Sequence, residues 1–147
     1  MNATDDEVLF ISTSDHLIEP VSTLVENVRL AETVCHKGYI ISFGIKATRP
    51  DTGFGYIKSG NNLSENFSSV KKIEKFVEKP DLATAEKYLK SGDYSWNSGM
   101  FAFKISTMLE EFKDKLPEMH KRITTCDYNS FIREFESMDS ISIDYAI

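Results

Sequence analysis

Three consecutive segments constrain this chain more than anything else in it. Val8-Leu9-Phe10-Ile11 is a short apolar run that ends in Ser12-Thr13-Ser14-Asp15-His16, the pattern of a buried strand whose carboxyl end runs into a polar loop. Pro20 then opens a helix at its first turn, and Leu24, Val25, Val28, Ala31, Val34 and Cys35 fall on one stripe at helical spacing until Gly38. Tyr39 to Ile45 follows directly and is rich in β-branched and aromatic residues. Strand, helix, strand in that order reads as a right-handed βαβ unit with parallel strands, and so as an α/β fold.

The rest of the chain extends that layout. Thr48-Arg49-Pro50-Asp51-Thr52-Gly53 is turn chemistry, and Phe54 to Lys58 alternates like a strand. Gly60 to Ser69 is rich in Asn and Ser and reads as an exposed connection. Val70 to Glu78 offers a further strand, stopped by Pro80-Asp81. Leu82, Ala85, Tyr88 and Leu89 then predict a short amphipathic helix ending at Gly92. Trp96 to Gly99 reads as a polar loop feeding a central strand, Met100-Phe101-Ala102-Phe103. Ser106 suits the N-cap of a helix carrying Leu109, Phe112 and Leu116, interrupted by Pro117. Further helices are expected, with Met119 and Ile123 and then Phe131, Ile132 and Phe135 facing inward.

Composition excludes several function classes. With 41% hydrophobic and 12% aromatic residues over 147 positions, the chain can bury a core, and its length fits one compact unit or part of a larger one. No apolar run approaches the roughly 18 residues of a membrane span. Met1 to Glu7 has neither the basic nor the apolar region of a secretory signal, so a cytoplasmic location is the expectation. Seventeen Lys and Arg against 23 Asp and Glu give a net charge of −6, which repels a nucleic-acid backbone while leaving room for a small anionic ligand at a local basic group or bound metal. Cys35 and Cys126 are expected as buried or part-buried free thiols.

Several positions carry candidate chemistry, each beside a plainer reading. Asp15 follows an apolar strand, where open α/β sheets bind ligands, although taken alone the triplet Ser14-Asp15-His16 favours a turn or helix cap. Asp144, in Ser142-Ile143-Asp144-Tyr145-Ala146, has the same ambiguity. Two carboxylates are what a Mg²⁺-dependent phosphate site needs, because Mg²⁺ keeps waters and takes one or two carboxylates plus phosphate oxygens. Gly53-Phe54-Gly55-Tyr56 lets a ligand approach the backbone, or is simply a turn. Glu78-Lys79 sets an acceptor beside a cation, suited to sugar hydroxyls and a phosphate or to a solvated ion pair. Trp96-Asn97-Ser98-Gly99 suggests a pocket wall with a few aimed polar groups, or a packed corner.

In order, Ser14-Asp15-His16, Phe43-Gly44-Ile45, Thr52 to Ile57, Phe76-Val77-Glu78-Lys79-Pro80-Asp81, Thr84-Ala85, Trp96 to Phe101 and Ser142 to Ala146 resemble the bacterial mannose-1-phosphate guanylyltransferases of the sugar-phosphate nucleotidyltransferase group. The resemblance covers nearly the whole chain. It implies a Rossmann-like, mainly parallel sheet flanked by helices, and transfer of GMP from GTP to α-D-mannose 1-phosphate, giving GDP-mannose and pyrophosphate with Mg²⁺. It also implies Asp15 and Asp144 as catalytic, metal-coordinating aspartates and Gly55, Tyr56, Glu78, Lys79 and Asn97 as sugar-phosphate positions, with Ser98 and Gly99 shaping the same turn.

The sequence departs from the family in two places. Thr13 stands where the family usually has Pro. Nothing here matches the Gly-rich, Arg- and Lys-bearing segment that precedes the strand before Asp15 in such enzymes and binds the triphosphate. Residues 1–147 are therefore expected to form a partial nucleotidyltransferase domain, its central and sugar-binding portion, completed by a complementary N-terminal fragment or by a homo-oligomer. The alternatives are a catalytically silent remnant that binds sugar phosphate, and a transferase for another hexose 1-phosphate such as glucose 1-phosphate.

Overall fold

The computed structural model describes residues 7–146, which fall into two compact units. Within the described residues the first takes in 7–10, Leu17–Ile41 and 102–146, and the second Ile11–His16 and Ser42–Phe101.

In the first unit, strand β1 (Val8–Ile11) pairs with the end of a long strand, β5 (Tyr94–Lys104), and the Ile105 amide donates to the Glu7 carbonyl at 3.0 Å. Helix α1 (Val21–Cys35) starts after Pro20, whose carbonyl accepts from the Thr23 amide at 3.1 Å. It ends ahead of Gly38, whose φ of +83° is open to a residue without a Cβ. The predicted stripe is buried only at its carboxyl end, at Ala31, Val34 and Cys35, while Val25 is exposed. Likewise Leu9, Phe10 and Ile11 are exposed, where the apolar run predicted a buried strand. A strand is buried by neighbours on both edges and layers on both faces, and among the described residues β1 sits at the end of the strand order, paired with β5.

Helix α3 (Ile105–Lys115) packs on α4 (Pro117–Thr125), with Pro117 ending one and opening the other. The expected N-cap at Ser106 lies inside α3, because β5 runs straight to Lys104 and the helix begins at the next residue. Asp127 caps α5 (Tyr128–Phe135) by accepting from the Ser130 amide at 2.9 Å. Phe131 is half-buried in α5, whereas Ile132 and Phe135, expected to face inward, are exposed. The short α6 (Ile143–Ala146) follows. Among the described residues no helix is long and apolar enough to cross a membrane.

The second unit is a sheet in the order β2 (Ile41–Lys46), β5, β3 (Tyr56–Asn62), β4 (Lys71–Val77), with helix α2 (Leu82–Ser91) on one face. Both pairings of β3 are antiparallel, with Tyr56 opposite Val77 on β4 and opposite Trp96 on β5. The expected α/β fold with a sheet flanked by helices is present, and within it β3 pairs antiparallel on both edges. The short link from Asn62 to Lys71, holding one 3₁₀ turn (Glu65–Phe67), cannot make the crossover that parallel strands need. β3 also runs past Lys58 to Asn62, through residues whose composition predicts a loop, with register shifts on either side of Ser59. Trp96 to Gly99, likewise expected as a loop, is part of β5.

Asp81 caps α2 by accepting from the Thr84 amide at 2.7 Å, and Gly92 ends the helix at φ +74°. Ala85 of α2 packs with Ala47, Tyr56 and Trp96, and Tyr88, Leu89 and Tyr94 surround them. The Tyr88 and Tyr94 rings stack at 3.8 Å, and Tyr56 is wholly buried. Burying a large side chain of this kind is worth about 1.5–3 kcal/mol, so this aromatic cluster anchors the unit.

Burial, with Glu32 adding to it, pushes the Cys35 thiol up to about 11. At pH 8 the folded protein should therefore leave Cys35 unlabelled by a thiol-specific disulfide reagent and release it on addition of denaturant, with peptide mapping identifying the labelled cysteine.

Candidate functional site

The double pairing of β3 assembles most of the predicted site residues within the second unit. Asn97 donates its amide to the Gly55 carbonyl at 2.8 Å, immediately before the Tyr56–Trp96 pair. On the other edge, Tyr56 faces Val77, which brings Glu78 beside Gly55. A Cβ at Gly55 would lie 2.7 Å from Glu78 Oε2 and 3.0 Å from the Phe76 ring. A side chain at position 55 would therefore push the end of the Glu78 side chain out of its present place, and glycine leaves room for it. Gly55, Glu78 and Asn97 thus meet around one peptide.

Glu78 also holds Lys79, with Nζ 3.4 Å from Oε1 and the lysine side chain mostly exposed. Lys79 has φ +41°, a conformation that costs a residue with a side chain on the order of 1–3 kcal/mol and that tends to occur where function demands it. The strain bends the chain directly after Glu78 and before Pro80.

Asn97 and Ser98 are satisfied locally. Asn97 Oδ1 accepts from the Ser42 hydroxyl and from the Gly99 amide, both at 3.2 Å. The Ser98 hydroxyl donates to the Phe43 carbonyl at 2.6 Å and accepts from the Met100 amide at 3.1 Å. Ser98 is buried, so its bonds tie β5 to β2 and shape the strand around Asn97. Gly99 takes φ +69°, and a Cβ there would lie 3.4 Å from Thr13 Cγ2, which seats the loop carrying Asp15 beside it. Asp15 is 85% exposed at its side chain and lies 3.9 Å from His16 Nε2.

Arg49, Asp51 and Ser42 join this arrangement although composition marks them only as turn or strand residues. Asp51 Oδ2 accepts from Arg49 Nε at 3.0 Å and Nη2 at 2.6 Å, while Oδ1 accepts from the Gly53 amide at 2.9 Å. The Gly53 amide, followed by Arg49, holds the Asp51 carboxyl below the usual carboxylate range. The Tyr56 hydroxyl donates to the Asp51 carbonyl at 2.9 Å and accepts from the Asp51 amide at 3.0 Å. That hydroxyl is thus committed within the loop, and the ring is buried. The signal in the sequence is Asp two residues before Gly, an Asx turn, which tells of a bend and nothing of its partners.

Asp144 lies in the first unit, half-buried on α6, and accepts from the Ser142 hydroxyl at 3.1 Å. Asp15 belongs to the second. No group of three or more His, Cys, Asp or Glu that would hold a metal is formed among the described residues. Mg²⁺ does not need such a cluster, and an exposed aspartate such as Asp15, ion-paired to no Lys or Arg among the described residues, is a suitable hard oxygen donor.

Comparison with known proteins bears on this arrangement. The nucleotidyl transferase family matches residues 1–131. The chain is 40% identical, over 97% of its length and 31% of the relative's, to the xanthan biosynthesis protein XanB of Xanthomonas campestris pv. campestris. Identity, coverage and share are the same for the mannose-1-phosphate guanylyltransferase RfbM of Salmonella typhimurium. The chain thus spans about a third of these relatives. A crystal structure described as mannose-1-phosphate geranyltransferase from Thermus thermophilus matches with a TM-score of 0.83 at 30% identity, covering 96% of this chain and 41% of that one. With a family match over most of its residues and a likeness in both sequence and fold, the chain belongs to the nucleotidyl transferase family.

Proposed function

We propose that this chain carries the sugar-phosphate side of a mannose-1-phosphate guanylyltransferase, which transfers GMP from GTP to α-D-mannose 1-phosphate. The observation that supports this reading is the meeting of Gly55, Glu78 and Asn97 around one peptide. The Glu78 carboxylate is an acceptor of the kind that sugar hydroxyls require, and Lys79 beside it supplies the cation for the phosphate. The Lys79 side chain is mostly exposed and its contact with Glu78 is 3.4 Å, so turning the ammonium from that carboxylate to a phosphate costs little.

In the proposed reaction an oxygen of the sugar phosphate attacks the α-phosphorus of GTP in line. The new P–O bond forms as the bond to the bridging oxygen breaks, and pyrophosphate leaves with that electron pair. The chain's residues bind and orient; no covalent intermediate on the protein is required. Mg²⁺, when bound, supplies charge neutralisation on the phosphates, and the carboxylates of Asp15 and Asp144 are the groups proposed to hold it. GTP as donor and the two free thiols suit a cytoplasmic setting.

A second reading, a sugar-phosphate binder that transfers nothing, is favoured by one observation: all the sugar-side residues lie within one unit and rely on local partners. Calorimetric titration with mannose 1-phosphate, and pyrophosphate release from GTP, mannose 1-phosphate and Mg²⁺, separate the two. Binding by the chain alone, and release once a complementary N-terminal fragment carrying the triphosphate-binding segment is added, is the expected outcome, and both should weaken when glucose 1-phosphate is substituted. Binding without release even then supports the silent binder, and absence of binding overturns both readings.

Gly55→Ala should displace Glu78 and reduce mannose 1-phosphate affinity at least about tenfold, about 1.4 kcal/mol, while circular dichroism stays that of the wild type. Wild-type affinity in that variant would contradict the assignment of Glu78. In a complete form of the enzyme Asp15→Ala and Asp144→Ala should each remove the Mg²⁺-dependent release of pyrophosphate, measured as rate against Mg²⁺ concentration; full activity in either variant removes that residue from the metal set.

A further inference from the structure

Resting on the sugar-phosphate reading of Gly55, Glu78 and Asn97, we propose that Asp51 is a positioning residue: it holds Arg49 against Trp96 and the Tyr56 hydroxyl against its own main chain, and so sets the loop that delivers Gly55 to the site.

Asp51 spends every polar group it has on this loop. One carboxylate oxygen takes two donors from Arg49, the other takes the Gly53 amide, and the main-chain amide and carbonyl both engage Tyr56. The Arg49 guanidinium is thereby held in place, its central carbon 5.1 Å from the Trp96 ring centroid and 6.0 Å from that of Phe54. Phe54 and Trp96 themselves pack at 5.2 Å. Asp51 thus joins the turn from Arg49 to Phe54 to both residues of one cross-strand pair, Tyr56 by hydrogen bonds and Trp96 through the arginine.

Gly55 lies between these two attachments. Having no side chain, it can be held only through its main chain, and Asn97 supplies the bond on its carbonyl. If the turn before it relaxed, Gly55 would shift relative to the Glu78 carboxylate, which occupies the space a Cβ there would take. Asp51 acts through Tyr56, Arg49 and Gly55, and touches no substrate itself. A turn that served only to reverse the chain would need the Gly53 bond; it would not need an arginine set over two rings or a buried phenol bonded to both main-chain groups of one residue.

Trp96 is the single tryptophan of the chain, so its emission reports on the clamp directly. Asp51→Asn keeps the size of the side chain and removes its charge, and Arg49→Lys keeps a cation and removes the planar fork. Both variants should shift Trp96 emission and raise its quenching by acrylamide. Both should also weaken mannose 1-phosphate binding about tenfold, the scale of one charged hydrogen bond, with GTP binding unchanged and the thermal midpoint within about 5 °C of wild type. Wild-type affinity for mannose 1-phosphate in both variants overturns the proposal, as does unchanged Trp96 emission. If Asp51→Asn does not fold, Arg49→Lys alone decides by the same measurements. Should the wild-type protein itself bind no mannose 1-phosphate, the sugar-phosphate reading falls, and Trp96 emission in the variants still tells whether Asp51 holds the clamp.

Discussion

Strand β3 has to hydrogen-bond along both edges while leaving the residue before it bare enough for a carboxylate to rest on. The two antiparallel ladders meet the first demand and Gly55 meets the second. Everything proposed for the site follows from that arrangement. Pairing Tyr56 with Val77 on one side and Trp96 on the other puts the residues that follow those partners, Glu78 and Asn97, at the same end of the sheet, beside Gly55. Moving either ladder by one residue would turn the side chains of that strand to the opposite face and separate them. The buried cluster of Tyr56, Trp96, Ala47 and Ala85, with the stacked Tyr88 and Tyr94, makes such a slip costly.

Charge is handled by local pairing. The protein is acidic, with a net charge of −6, yet the ligand proposed for it is an anion. Around the site Arg49 is paired with Asp51, Lys58 with Glu74 and Lys79 with Glu78. The pairs differ in what they do. Arg49 is held by two hydrogen bonds and two aromatic rings, so moving it disturbs packing as well as charge. Lys79 is an exposed ammonium at 3.4 Å, a contact worth little in water, and is the cation most easily redirected to a phosphate. The strained backbone at Lys79 points to the same residue, since such a conformation persists only where its surroundings impose it.

Much of this was legible in the sequence where a single residue type has one physical use. Gly38 and Gly92 end helices, Pro117 divides two of them, Pro80-Asp81 stops a strand, and Val8 to Ile11 is a strand with the predicted bounds. The residues proposed for the sugar phosphate stand out as motifs, and Gly55, Glu78 and Asn97 are neighbours in the fold. Legibility failed where a residue's role depends on a distant partner. Asn97, Ser98 and Gly99 look like a turn by composition, yet they lie in a strand because Gly55, Ser42 and Phe43 supply their hydrogen-bond partners. Asp51 has the pattern of a turn former, and its ties to Tyr56 and Arg49 give it a further part.

What the sequence determined by itself was local: periodicity set the elements, glycine and proline set their ends, and the order of short motifs identified the family. The tertiary structure decided which strands are antiparallel, that β1 is exposed despite its apolar residues, and that Gly55, Glu78 and Asn97 share one peptide's surroundings. The reason is range. Helix caps and apolar stripes are settled by neighbours a few residues away, whereas burial and register depend on which strands come to lie alongside, and no local pattern encodes that.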